Sequence, residues 1–184
     1  MQKEDRKEEN KEVDRKERDL RIRTASLEDL EAIAEIERRC FPEAEAASRE
    51  SMRERITVYP NHFWLLQDGN QIVSFVNGMV TDSPDLTDEM YEKAALHNEA
   101  GKWQMIFGVD TLPEYRRRGY AGILLRYVTE QAGEQGREGL VLTCKEKLVP
   151  YYAKFGFEQE GISESVHGGA VWYQMRLRIS DSGS

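Results

Sequence analysis

Apolar positions recur along this chain with two periods. Leu20-Arg21-Ile22-Arg23 alternates as a strand does. Ser26 reads as an N-cap, with Asp29 three residues on. Leu27, Leu30, Ile33, Ala34 and Ile36 then fall at helical spacing toward Cys40, and Phe41-Pro42 ends that helix. A second helix is predicted over Ser48–Ile56. His62–Gln67 and Gln71–Val80 read as strands about an Asp68-Gly69-Asn70 turn. Ser83–Asp88 reads as a loop and Glu89–Asn98 as a short helix. A central strand is predicted over Trp103–Asp110. A long helix follows over Gly119–Gly133, with Ile123, Leu124, Tyr127 and Val128 on its buried face. Gly139–Cys144 reads as a strand, Leu148–Phe155 as a helix, and Phe157–Ile162 and Val171–Ile179 as closing strands. The order β-α-α-β-β-(α)-β-α-β-α-β-β, without internal repeats, is that of a mixed α/β class.

The periodic part has clear edges. Residues 1–18 are almost wholly charged, with only Met1 and Val13 apolar, so no stripe is available to dock on a core. They read as a solvated tail, 19–179 as one folded domain, and 180–184 as a flexible end. At 184 residues one domain is the prior, and 39% hydrophobic residues suffice for a core. The formal net charge of -8 argues against nucleic-acid or membrane-surface partners. No apolar run is long enough to span a bilayer, and the first residues lack a signal-peptide core. A soluble, cytoplasmic protein is expected. Cys40 and Cys144 have neither redox nor metal-ligand spacing, so neither a disulfide nor a metal site is expected. Composition leaves monomer and homodimer equally open.

On this acidic chain the basic cluster Arg116-Arg117-Arg118 stands out, followed at once by Gly119 and a helix. A helix start exposes unpaired N–H groups and partial positive charge. A glycine there lets the backbone approach a ligand. A phosphate or pyrophosphate is the natural occupant.

Arg116-x-x-Gly119-x-Ala121 resembles the pyrophosphate motif of the GNAT acetyltransferases. A second segment agrees: Leu148-Val149-Pro150-Tyr151-Tyr152-Ala153-Lys154-Phe155-Gly156-Phe157 resembles that superfamily's Tyr…Phe/Leu-Gly-Phe stretch. The resemblance implies the GNAT acyl-CoA N-acyltransferase fold: a central mixed, twisted sheet flanked by helices. Two parallel strands, here Trp103–Asp110 and Gly139–Cys144, would splay to admit pantetheine. It implies acetyl-CoA as cosubstrate, held by Val109, Asp110, Thr111, Arg116, Arg117, Arg118, Gly119, Tyr120, Ala121 and Gly122. Tyr152 would border the coenzyme and protonate the departing thiolate.

Within the superfamily the chain is most similar to the arylalkylamine (serotonin-type) N-acetyltransferases, over most of residues 20–178. Glu35-Ile36-Glu37-Arg38-x-x-Phe41 resembles the helix end that leads into their amine-binding loop. This implies a small primary amine as acceptor, with Phe41, Glu43, Glu45, Met105 and Phe107 beside it. There is one departure. The vertebrate enzymes carry two histidines at the positions of Met105 and Phe107, and neither of these residues can accept a proton. His62, His97 and His167 each read as structural or solvent-exposed, and Glu43 and Glu45 as candidate ammonium ligands or proton relays. Two other readings stand beside the leading one: acetylation of a protein amino group, and a non-catalytic acyl-CoA-binding module.

Overall fold

The computed structural model describes residues 19–179; the charged tail and the flexible end expected above lie outside them. The chain starts in strand β1 (Leu20–Thr24) and turns at Ser26. Asp29 accepts from the Ser26 backbone N–H at 2.9 Å and from both terminal nitrogens of Arg23, so the sequence-predicted cap is made. Helix α1 (Leu30–Cys40) turns Leu30, Ile33, Ile36 and Glu37 inward. Helix α2 (Arg49–Val58) is capped by Ser48, whose Oγ accepts from the Ser51 N–H at 3.1 Å. Strands β2 (Phe63–Asp68) and β3 (Gln71–Asn77) form the expected hairpin.

The next elements are β4 (Val80–Thr81), helix α3 (Asp88–Glu92), β5 (Trp103–Ile106), β6 (Gly108–Thr111), helix α4 (Tyr120–Glu134), β7 (Gly139–Cys144), helix α5 (Val149–Ala153), β8 (Glu158–Ile162) and β9 (Tyr173–Arg178). Helix α4 buries Tyr120, Leu124, Leu125, Val128 and Ala132. Ile123, expected on that face, is exposed, and Leu125 takes its place, because the buried stripe runs one residue further round the helix.

The sequence suggested one strand over Trp103–Asp110. It is interrupted at Phe107, and its two halves belong to different sheets. One sheet runs β1-β2-β3-β6 and the other β4-β5-β7-β9-β8. β5 lies parallel to β7 from Trp103/Gly139 to Ile106/Leu142. Beyond Phe107 the chain leaves β7 and pairs antiparallel with β3, from Asn77/Gly108 to Ser74/Thr111. β7 continues to Cys144 against β9. The two formerly adjacent strands therefore diverge, and an opening forms between β6 and the end of β7. Among the described residues, no helix is long and apolar enough to cross a membrane.

Candidate active site

The opening holds two joined spaces. A groove of about 580 Å³ runs toward the start of α4, lined by Thr111, Arg116, Arg117, Gly119, Tyr120 and Ala121. A smaller chamber of about 220 Å³ lies deeper, under the 41–48 connection and the 162–172 connection. Phe41, Glu45, Val109, Leu148, Tyr152 and Trp172 line both and form the throat between them.

At the α4 end the backbone forms a cradle. Gly119 caps the helix at φ +79° and Arg117 takes φ +65°, so two left-handed residues curl the chain just ahead of the helix. The first bond into the helix is Ile123 N–H to Gly119 O, 3.1 Å, so the preceding N–H groups are open to a ligand. Of the three arginines, Arg116 turns its Nε toward the Thr111 carbonyl at 3.3 Å. Arg118 stacks over Tyr115 at 5.0 Å and donates to the Glu114 carbonyl. Arg117 has no such tie among the described residues and lines the groove.

The throat carries two further features. Leu112 N–H bonds to Val73 O at 2.9 Å, and alternation along β6 then points the Val109 N–H away from β3, into the opening. Tyr152 projects from α5 with its ring buried, edge-on to Tyr151 and Phe157. Its hydroxyl has no hydrogen-bond partner among the described residues. Burial, with Tyr151, Cys144 and Asp110 adding in the same direction, holds this phenol well above the usual tyrosine range.

The chamber walls are aromatic and acidic. Phe107 packs at 4.8 Å against Tyr91, and the Arg55 guanidinium lies 5.1 Å over the Phe107 ring. Glu37 and Arg55 are both buried. Glu37 Oε1 accepts from the Ala47 N–H at 3.2 Å, while Oε2 and both oxygens of Asp110 lack any donor. Asp110 is fully buried; burial, then Glu37 beside it, raises its carboxyl well above the usual range and so disfavours its ionised form. Glu45 is committed to Lys145 at 2.6 Å. Tyr91, pushed up to about 12 by burial, shares a hydrogen bond of 3.1 Å with Thr143.

Of the residues expected at the site, Val109, Thr111, Arg116, Arg117, Gly119, Tyr120, Ala121, Tyr152, Phe41, Glu45 and Phe107 line this cleft. Asp110 points the other way, toward Glu37. Gly122 is buried against Phe155, where a Cβ would lie 3.2 Å from the ring. Glu43 is exposed and does not line either space. Met105 is fully buried with Tyr59, Met79 and Trp103, because β5 is still flanked there by Met79 and by β7 and lies short of the opening. Trp172, which falls within the strand expected over Val171–Ile179, precedes β9 and lines the throat. Glu37, Arg55, Tyr91, Lys145 and His167 were not expected here. Each comes from a connection or helix face that only the tertiary fold brings to the chamber.

A second polar cluster sits apart from the cleft. His62, His97 and Glu99 place ligand-type atoms within 4.8 Å of one another. His97 Nδ1 accepts the Val80 N–H at 3.0 Å, so its Nε2 carries the proton and donates to Glu99 at 2.8 Å. That proton occupies the lone pair a metal would need, and the group is a hydrogen-bonded brace.

Residues 30–157 match the sequence profile described as the acetyltransferase (GNAT) family. The chain is 27% identical to a serotonin N-acetyltransferase of Mesocricetus auratus over 162 residues, 86% of this chain and 77% of that protein. It is 24% identical to the serotonin N-acetyltransferase of Pan troglodytes over 164 residues, 87% and 78% of the two chains. Among solved structures, the loading GNATL domain of CurA from Lyngbya majuscula superposes with a TM-score of 0.75 at 18% identity, covering 86% of this chain and 97% of that one. The ribosomal-protein-S18-alanine N-acetyltransferase from Escherichia coli superposes at 0.67 and 18%, covering 90% and 97%. At such identities the superpositions speak for the fold alone.

Proposed function

The chain belongs to the acetyltransferase (GNAT) family, and from that premise we propose that it moves acetyl from acetyl-CoA to a small primary amine by direct attack, with both substrates bound at once. The observation that carries this reading is the Tyr152 hydroxyl, unpartnered at the throat where groove and chamber meet. The cleft fits the coenzyme by its own chemistry. Open N–H groups and Arg117 at the α4 cradle suit a diphosphate, and the divergence of β6 from β7 leaves a slot for an extended arm. Bound there, acetyl-CoA supplies an activated thioester carbonyl and a thiolate leaving group.

The chain's residues do the rest. The Val109 N–H points into the throat, where it can donate to a carbonyl oxygen as negative charge develops. Tyr152 keeps its proton through neutral pH and gives it to the departing sulfur. The chamber, at about 220 Å³, is smaller than a typical drug-sized site. Its aromatic rings and buried carboxyl groups suit a compact ammonium, an arylalkylamine or a polyamine-like one. The serotonin N-acetyltransferase relatives favour the same class.

Thiol release from acetyl-CoA, followed with arylalkylamines, polyamines and lysine peptides in turn, tests this. Turnover with one of the first two is expected. Turnover with lysine peptides alone would make it a protein acetyltransferase, and tight coenzyme binding without release would make it a binding module.

A further inference from the structure

With Met105 and Phe107 where a proton acceptor would be expected, the proton shed by an amine needs another destination. Four groups that line the chamber could take it, and of these Glu92 is exposed to solvent. Glu37 is buried, with the Ala47 N–H on one oxygen and the buried Asp110 carboxyl nearby. Glu45 holds Lys145. His167 is different. Its Nε2 lies 2.7 Å from the Glu45 backbone oxygen. A carbonyl only accepts, so Nε2 carries a proton, and in the neutral form of the ring the lone pair is on Nδ1. Among the described residues Nδ1 has no partner, and the ring lines the acceptor chamber.

The ring is also held in place. It stacks on Tyr91 at 5.2 Å with 12° between the planes, and Tyr91 in turn contacts Phe107. Trp172 packs at 6.1 Å and donates its indole N–H to the His167 carbonyl at 2.8 Å. Gly168, at φ +63°, presses the turn against the 41–48 connection: a Cβ there would sit 2.6 Å from Glu45 Cγ and 3.0 Å from Ala44 O. A fixed tautomer on a fixed ring is how an imidazole is prepared for proton transfer.

We propose that His167 Nδ1 is the base that takes the acceptor's proton, serving from the 162–172 connection the role that Met105 and Phe107 cannot serve from the strand. The proposal rests on the acetyl-transfer reading. A bound ammonium gives one N–H proton to Nδ1. The electron pair left on nitrogen forms the C–N bond while the C–S bond breaks, and sulfur takes the Tyr152 proton. The second proton shed by nitrogen returns to the Tyr152 oxygen through water. His167 passes its own proton to solvent, so one proton is released per turnover. The charged and titratable groups about His167 are Glu45 and Lys145 across the throat, Tyr91, Glu92 and Asp88 on α3, Glu37 on α1, Arg55 on α2 and Cys144 at the end of β7.

The test follows thiol release with the best amine across pH, for wild type and His167→Gln, with coenzyme binding by calorimetry. Expected are a 10²- to 10⁴-fold fall in kcat at neutral pH, coenzyme affinity within threefold, and an acid limb displaced toward the amine's own ionisation. Added imidazole should restore part of the rate to His167→Ala. If His167→Gln binds no coenzyme, nitrogen NMR of the wild-type imidazoles decides. A neutral ring protonated on Nε2 and perturbed by amine supports the base, and one protonated on Nδ1 overturns it. An unchanged rate and acid limb in His167→Gln also overturns it. A wild type that turns over beside such a variant ends this inference alone, whereas a wild type inert to every amine ends both.

Discussion

A phenol that protonates a leaving thiolate must hold its proton until the C–S bond breaks. Tyr152 meets this condition by burial, which disfavours the phenolate. Its ring is fixed by Tyr151 and Phe157, so removing only the oxygen leaves the packing intact. Tyr152→Phe is expected to lower kcat by roughly 10²- to 10⁴-fold and to leave coenzyme affinity nearly unchanged. Steady-state kinetics beside calorimetry checks both halves, and full activity in the variant would remove Tyr152 from proton transfer. The family pattern pointed to Tyr152 from the sequence alone. His167 carried no such pattern. A histidine in a glycine-rich turn reads as surface, and only the approach of that turn to Ala44 and Glu45 makes it a wall of the chamber.

At the scale of elements, the cradle ahead of α4 depends on backbone conformation more than on charge. Gly119 sits at φ +79°, which proline, fixed near -65°, cannot adopt. Gly119→Pro is expected to abolish coenzyme binding because the ring forces the backbone out of the cradle conformation; nothing lies within 4 Å of the missing Cβ, so no clash with a neighbour adds to that strain. Arg117→Ala removes one exposed charge and should weaken binding only about three- to tenfold, as solvent screens such contacts. Titration calorimetry separates the two, and normal binding by Gly119→Pro would refute the cradle. Most elements were legible beforehand because each had a clean period and a stop signal: the Asp68-Gly69-Asn70 hairpin and Phe41-Pro42 both lie where expected. The break at Phe107 was not. Trp103–Asp110 alternates without a glycine or proline ahead of Phe107, and its division comes from competition between two partners. β7 claims residues up to Ile106, and β3 claims those from Gly108. Such competition is tertiary, and its one local mark is Gly108, an in-strand glycine directly after the break.

At the scale of the whole molecule, the two sheets part beside a buried polar seam. Arg55 donates to Asn77 at 3.1 Å and to the Tyr91 carbonyl at 3.1 Å, while Glu37 and Asp110 join α1 to β6. The seam backs the chamber, so its protonation bears on the stability of the fold that shapes the site. Asp110 has a folded-state pKa raised above the ordinary 3.8. Below that pH both folded and unfolded chains hold the proton, and the contribution is fully present. As pH rises, the unfolded chain releases the proton and the folded chain keeps it. Stability then falls by up to about 1.4 kcal/mol per pH unit until the folded carboxyl itself ionises. Asp29, Glu99 and Glu160 are shifted downward, so their contributions are present above the ordinary carboxylate range and lost as pH falls. Asp110→Asn leaves those groups in place and presents an N–H to Glu37 that cannot titrate. Subtracting the variant's urea-unfolding free energy from that of the wild type should therefore give a difference that declines as pH rises above the ordinary aspartate range. A difference constant with pH would mean that Asp110 is ionised in the folded protein, with the seam held together by Arg55 alone.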